Sequence, residues 1–191
     1  MAGLPPAVVN ILIMLGMMQV AKRVPFEDPN VLNMVRGGYI LSNVIILGLY
    51  LVIQAKIQKK KDLTVLKYVE PAPMGSTEEP KLVATTIHEY DMSQLRTLMR
   101  GQVTAVAIMC VLHLYMKYTN PLLIQSILPL KTALEANLVK IHIFGQPAVG
   151  ELKRPFKAAA GFAQSLQGAA QTDAKSVKAA ERAGRGGAKE E

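Results

Sequence analysis

Three long apolar runs constrain the fold of this chain more than any other feature. They cover Leu4–Ala21, Gly38–Ala55 and Gly101–Met116, and none of them contains a charged residue. Runs of about 16–18 residues form helices of about 24–27 Å. That length is at the short end for a membrane span and suits a thin bilayer such as that of the endoplasmic reticulum, about 27 Å. Three such helices leave too little polar chain to cover them in a soluble protein.

The composition agrees with a membrane bundle. Half of the 191 residues are hydrophobic and only 19% are charged, whereas soluble domains carry nearer 25% charged residues. The net charge of +8 indicates contact with anionic lipid headgroups or with RNA. We expect an all-α fold, a small polytopic membrane bundle. Its three short transmembrane helices are predicted at about 4–21, 38–55 and 101–118.

A fourth helix is predicted over residues 122–144, where apolar residues recur at helical spacing among polar ones. Pro129 should kink this amphipathic helix or end its first part. The helix either lies at the membrane surface or crosses the membrane with its polar side toward other helices. The sequence leaves both alternatives open.

The segments outside the spans are basic. The loop 56–100 contains eight Lys and Arg residues, so the positive-inside rule predicts that it is cytosolic and that residues 22–37 are luminal. Thr86 and Glu89 have the spacing of a capping box, which predicts a helix from residue 87 that turns at Gly101 into the third span.

The bundle is expected to occupy residues 1–150, and residues 151–191 to form a basic, largely disordered tail. From Ala158 onward the chain is rich in Ala, Gly and charged residues, a composition that cannot bury a core. No catalytic constellation occurs in the sequence, its three histidines have no metal-ligand spacing, and its single cysteine excludes an internal disulfide. We therefore expect no enzymatic activity, no cofactor and no metal.

Polar residues and methionines within the spans share helix faces. They allow two interpretations: polar contacts between helices, or a mildly polar, Met-lined groove that accepts varied hydrophobic client segments. The candidate groove residues are Asn10, Met14, Met17, Met18, Asn43, Tyr50, Gln54, Met109, His113, Met116 and Lys117. For Lys117, at the end of the third span, snorkelling to the membrane surface is the alternative.

Basic residues cluster after the second span and toward the C-terminus. Such clusters bind anionic lipid headgroups or the backbone of ribosomal RNA without sequence specificity. The candidates are Lys59, Lys60, Lys61, Lys153, Arg154, Lys157, Arg182 and Arg185.

Several short motifs resemble one known family along most of the chain. They are Met17-Met18-Gln19, Glu27-Asp28-Pro29, Leu66-Lys67-Tyr68-Val69-Glu70-Pro71, Tyr90-Asp91, His113-Leu114-Tyr115, Lys117-Tyr118-Thr119-Asn120-Pro121, Lys140-Ile141-His142, Phe144-Gly145 and Leu152-Lys153-Arg154-Pro155-Phe156-Lys157. In these the chain is similar to the third component of the fungal SRP-independent targeting (SND) pathway. This family is also described as inorganic phosphate transport proteins of the endoplasmic reticulum.

The resemblance implies a multi-pass protein of the endoplasmic reticulum membrane. Such a protein helps to deliver or insert client membrane proteins beside the ribosome and a Sec-type translocon. The alternatives are inorganic phosphate transport or its maintenance, and a purely structural translocon subunit. The resemblance supplies no catalytic or binding residue to transfer to this chain.

Overall fold

A computed structural model describes residues 6–70 and 81–156 of the chain. The elements are α1 (Pro6–Ala21), α2 (Pro29–Lys60), β1 (Val65–Glu70), β2 (Lys81–Thr86), α3 (Ile87–Cys110), a π-helical turn (Val111–Tyr115), α4 (Asn120–Glu135), α5 (Asn137–His142) and a 3₁₀ turn (Gly150–Leu152). The predicted helical character is confirmed. The all-α class needs correction, because β1 and β2 form a two-stranded sheet.

The chain divides into two compact units. The helical unit comprises Met1–Lys56 and Gln94–Phe144, and the hairpin unit comprises Ile57–Ser93 and Gly145–Glu191. Residues 1–5, 71–80 and 157–191 lie outside the described residues, and with them the predicted disordered tail. The predicted boundary after residue 150 stays a prediction.

Helix α2 begins nine residues before the predicted span. Asp28 accepts a hydrogen bond from the backbone N–H of Asn30 at 2.8 Å, and Pro29 is the first helical residue. An aspartate cap followed by proline is a favourable helix start, because the side chain satisfies a free N–H and proline lacks one. The predicted luminal connection is therefore partly helical.

One stripe of α2 is buried. Its residues recur every three or four positions, the period of one helix face. They are Ser42, Ile46, Tyr50, Ile53 and Ile57. Many large apolar side chains on the other faces of α2 are exposed, including Leu41, Val44 and Leu51.

Helix α3 starts where the capping box predicted. The backbone N–H of Glu89 donates to Thr86 Oγ1 at 3.2 Å, and Thr85 Oγ1 donates to Glu89 Oε2 at 3.0 Å. The predicted turn at Gly101 is wrong, since α3 continues through it to Cys110. A single glycine lowers helix stability by about 1 kcal/mol, which a long helix tolerates.

Within the described residues, two helical segments are long and apolar enough to cross a membrane, Pro29–Lys60 and Ile87–Tyr115. Only 28% and 6% of their apolar windows are buried within the protein, whereas the core helix of a soluble protein is mostly buried. Both are therefore compatible with membrane association. The apolar helix Val8–Ala21 is shorter, and the count of three spans stays a prediction.

The predicted helix over 122–144 is divided in two, and the break is not at Pro129. Helix α4 runs through Pro129 to Glu135, and the chain becomes extended at Ala136, with φ −59° and ψ 139°. Helix α4 packs against α1 and contacts α5. Lys56 Nζ donates to the carbonyl oxygen of His142 at 2.7 Å, which satisfies a free acceptor at the end of α5.

The hairpin unit contains the antiparallel pair β1–β2, in register from Val65↔Thr86 to Glu70↔Lys81. The backbone N–H groups of Ile87 and His88 donate to the carbonyls of Thr64 and Asp62, at 3.0 and 2.9 Å. The start of α3 is thereby fixed to the segment that leads into β1.

Helix α2 ends on a lysine in the left-handed conformation. Lys61 has φ 42°, and its N–H donates to the carbonyl of Ile57 at 3.1 Å. This helix-ending geometry favours glycine, which has no Cβ to clash.

We predict that Lys61→Gly preserves or raises stability, by up to about 1 kcal/mol, because it removes the left-handed penalty. The control Lys59→Gly lies inside the last turn of α2 and should lower stability by about 1 kcal/mol. Thermal unfolding in detergent micelles, followed by circular dichroism, measures both. Equal destabilisation by the two substitutions would contradict the assignment of strain to Lys61.

Candidate functional site

A polar contact joins α2 and α3 within the helical unit. Gln102 Nε2 donates to Asn43 Oδ1 at 2.6 Å, and Asn43 Nδ2 donates to the carbonyl oxygen of Tyr39 at 2.8 Å. Both ends of the Asn43 carboxamide are therefore engaged. This side chain has the role of interhelical contact, the first of the two interpretations of the polar faces.

A second contact lies nearer the start of α2. Arg36 Nε donates to His113 Nε2 at 3.0 Å, and Arg36 Nη1 donates to Asn33 Oδ1 at 3.2 Å. His113 Nδ1 lies 3.1 Å from the carbonyl oxygen of Tyr118. Since Nε2 must accept from the guanidinium, the neutral ring carries its proton on Nδ1 and donates it to Tyr118.

The two contacts define how α2 and α3 are paired. Arg36 contacts His113, whereas Asn43, which lies further along α2, contacts Gln102. Residue numbers therefore increase in opposite directions along the two neighbouring helical segments. Within the helical unit these helices are antiparallel neighbours joined through polar side chains.

A third contact joins α1 to α4. Lys131 Nζ donates to Asn10 Oδ1 at 2.8 Å and to Glu135 Oε2 at 2.6 Å. Beside it, an open cavity of about 420 Å³ is lined mainly by the apolar side chains of Ile127, Leu130 and Leu134. The charge of Lys131 is thus paired next to an apolar surface.

The remaining groove candidates differ in exposure. Tyr50 and Met109 are only 5% and 3% exposed, so these two pack inside the protein and do not fit a client-facing role. Met17 and Gln54 are half-buried and Lys117 is exposed. Met14, Met18 and Met116 expose large apolar side chains. We call these three the methionine surface.

The candidate basic residues also differ in exposure. Lys59, Lys60, Lys61 and Lys153 are exposed, as headgroup or RNA contact requires. The hypothesis is wrong for Arg154, which is buried. Lys157, Arg182 and Arg185 lie outside the described residues.

Arg154 forms a two-bond ion pair with Asp91 in the hairpin unit. Its Nε and Nη2 donate to Oδ1 and Oδ2 at 2.6 and 2.7 Å, and the two side chains are 7% and 2% exposed. A charge removed from water to this degree requires such a partner. We call this pair the 91–154 clamp. It fixes the segment after Gly150 to the start of α3.

Aromatic contacts surround the 91–154 clamp. The ring of Tyr90 makes edge-to-face contacts with Tyr68, at 5.8 Å between centroids, and with Phe156, at 5.5 Å. The backbone N–H of Phe156 donates to the Tyr90 hydroxyl at 2.7 Å. Sequence analysis missed this cluster, although Tyr90-Asp91 and Arg154-Pro155-Phe156 lie in the motifs that carry the family resemblance.

Asp62 follows the exposed lysines at the end of α2. The hydroxyl and the backbone N–H of Thr64 donate to Asp62 Oδ1 at 2.6 and 3.2 Å. These hydrogen bonds stabilise the carboxylate and lower the pKa of Asp62. The ionised group lies 3.8 Å from Lys60 Nζ. Among residues 6–70 and 81–156, no group of three or more His, Cys, Asp or Glu side chains is placed to hold a metal.

The family model described as "Phosphate transport (Pho88)" matches residues 4–188, nearly the whole chain. The chain belongs to the Pho88 family. The expected family resemblance is confirmed.

Two yeast relatives of this Pho88-family chain carry related names. "SRP-independent targeting protein 3" of Saccharomyces cerevisiae is 47% identical over 97% of this chain and 99% of its own length. "SRP-independent targeting protein 3 homolog" of Schizosaccharomyces pombe is 40% identical over 92% of this chain and 91% of its own length. No solved structure is significantly similar to the chain.

We predict that either Asp91→Asn or Arg154→Met destabilises the hairpin unit by roughly 3–5 kcal/mol, because each leaves a buried charge uncompensated. The double variant Asp91→Leu/Arg154→Met should recover much of this loss. Limited proteolysis and thermal unfolding in micelles measure the effect. Lys153→Met, at the exposed neighbouring position, is the control and should change stability by less than about 0.5 kcal/mol. Single variants as stable as this control would contradict the role of the 91–154 clamp.

For the Asn43–Gln102 contact we predict coupling in a double-mutant cycle. Asn43→Leu and Gln102→Leu should each destabilise the protein by about 0.6–2 kcal/mol, and the double variant should lose less than their sum. Val44→Ala and Val103→Ala, at the exposed neighbouring positions, form the matched control cycle and should be additive. Additive losses in the polar cycle would show that the contact does not form in the membrane.

Proposed function

We propose that this Pho88-family protein assists SRP-independent targeting and insertion of client membrane proteins at the endoplasmic reticulum, without enzymatic catalysis. The names of the two yeast relatives support targeting. The apolar helices support a site of action in the membrane. On this proposal the protein is multi-pass, and it works beside the ribosome and a Sec-type translocon.

The observation that carries the proposal is the exposure of three methionines, two on α1 and one directly after the π-helical turn. Met14, Met18 and Met116 are 39%, 44% and 49% exposed. Methionine side chains are flexible and polarisable, so they pack against apolar segments of different shape. Targeting requires such tolerance, because client segments differ in sequence.

The candidate span Ile87–Tyr115 has a short apolar stretch, which supports a role in assisting insertion. On the segment Ile87–Tyr115, the apolar stretch lies between the exposed residues Arg100 and Lys117. The sixteen residues 101–116 rise about 24 Å as a helix, which is less than the hydrocarbon thickness of about 30 Å in a typical bilayer. A bilayer that thins around this helix lowers the barrier to a polar client loop.

The basic loop defines the proposed orientation. Its eight Lys and Arg residues favour the cytosolic side, where ribosomes and the client chains that leave them are found. The side of the membrane that holds the C-terminal tail depends on whether residues 122–144 cross.

Phosphate transport is the alternative, and the description of the family model favours it. Two charged side chains of the helical unit, Arg36 and Lys131, give phosphate transport less support. Arg36 is engaged by His113 and Asn33, and Lys131 by Glu135 and Asn10, so both charges already have partners within the protein. The sequence also lacks the repeated halves of many carriers. We infer that an effect on phosphate handling is indirect, through poor insertion of a transporter.

We predict that photo-crosslinkers at Met14, Met18 and Met116 capture nascent membrane segments during translation into microsomes. Crosslinkers at Ile45 and Leu51 are the matched controls, because these side chains are similarly exposed and lie on α2, which contributes no residue to the methionine surface. Client adducts should be several-fold more abundant at the methionine positions. Equal yields at both sets would contradict a client surface there.

A further inference from the structure

The lysines at the end of α2 lie at a defined distance beyond the apolar run of that helix. The second apolar run ends at Ala55, and α2 continues as a helix to Lys60. Lys59 and Lys60 therefore lie about 6–8 Å beyond the apolar run along the helix axis. The headgroup layer on each side of a bilayer is about 5–7 Å thick, so a membrane-crossing α2 brings these ammonium groups to the lipid phosphates.

Two apolar residues follow the lysines within a few positions in the sequence. Leu63 and Val65 are 71% and 68% exposed, and Val65 is the first residue of β1. RNA binding through lysines is a contact with phosphate and offers nothing to these aliphatic groups. A membrane interface offers both, since apolar side chains enter the acyl boundary while lysines contact the headgroups.

The backbone at Lys61 gives an independent argument. Its φ of 42° is left-handed, and a glycine would adopt this conformation without strain. The sequence instead has a third consecutive lysine at this position. A charged side chain in a place that favours glycine indicates that the charge itself is used.

We propose that Lys59, Lys60 and Lys61, with Leu63 and Val65, form a docking surface for anionic phospholipid in the cytosolic leaflet. We call it the α2 collar. Its ammonium groups bind headgroup phosphates, and its two aliphatic side chains insert between the headgroups. Asp62 offsets one of the charges through Lys60, and the collar keeps a net positive charge. This inference rests on the proposed crossing of the membrane by α2.

On this proposal, different basic residues contact lipid and the ribosome. Lysines held against lipid are not available to ribosomal RNA, so contact with the ribosome belongs to other basic segments of the chain. The collar also fixes how far α2 can move along the membrane normal, since both its charges and its aliphatic groups resist displacement.

The test uses the full chain with Cys110→Ala, reconstituted in nanodiscs. An environment-sensitive fluorophore is attached at Leu63→Cys or, separately, at Ile45→Cys within the apolar run. Phospholipids with a quencher in the headgroup or deep in the acyl chain report the depth of each probe. We expect the probe at 63 to be quenched from the headgroup and the probe at 45 from the acyl chain.

Charge is tested in the same system. Quenching at 63 should be higher with phosphatidylserine present than with phosphatidylcholine alone. Lys59, Lys60 and Lys61 changed together to Gln should remove that difference, and Lys153→Gln, at another exposed lysine, should retain it. Circular dichroism and acyl-chain quenching at 45 show that each variant is folded and inserted.

The other outcomes overturn the proposal in distinguishable ways. If the probe at 45 is quenched from the acyl chain but the probe at 63 is not quenched, α2 crosses the membrane and the collar does not bind lipid. If neither is quenched, the proposed membrane crossing fails, and the collar fails with it. If added ribosomes change the signal at 63 and lipid composition does not, RNA is the partner of these lysines.

Discussion

Polar side chains on apolar helices need partners, because a bilayer offers no hydrogen bonds. The helical unit meets this requirement at Asn43–Gln102, Arg36–His113 and Asn10–Lys131. Each contact joins two different helices or the segments next to them. The same contacts that satisfy the polar groups therefore set the pairing of α2 with α3 and of α1 with α4. The side chains of the methionine surface take no part in these contacts and stay exposed.

The hairpin unit solves a different problem. A sheet of two strands is marginally stable by itself, and in the part of the chain that the structure describes the pair β1–β2 has no third strand. The 91–154 clamp and the aromatic contacts of Tyr90 support it from α3 and from the segment after Gly150. If the basic loop is cytosolic, as proposed, this folded unit lies on the side of the membrane where clients arrive.

Sequence reasoning located the helices better than their partners. The uncharged runs identified the apolar parts of α1, α2 and α3, because an α-helix satisfies all its backbone hydrogen bonds within one segment of chain, as lipid requires. The start of α2 could have been predicted from the capping aspartate and the proline at Asp28-Pro29, but it was not predicted. The strands were also not predicted, although Val65–Val69 and Leu82–Thr86 are rich in β-branched and aromatic residues.

The pairing of distant residues was not accessible to sequence reasoning. Asp91 and Arg154 lie 63 positions apart, and a single sequence contains no signal that joins them. A basic motif therefore looked like a surface patch, and its arginine is an internal anchor. The groove hypothesis had the same weakness at Tyr50 and Met109, where helical spacing identified a face but could not tell a buried face from an exposed one.

The proposed function requires that this protein inserts clients and does not itself carry phosphate. The most direct measurement places the purified full chain in liposomes, with empty liposomes as the control, and follows two quantities in the same preparation. One is protease protection of a newly synthesised client membrane protein, and the other is uptake of labelled inorganic phosphate. We predict that protection increases while phosphate uptake equals that of empty liposomes. Phosphate uptake above the control, without increased client protection, would contradict the account.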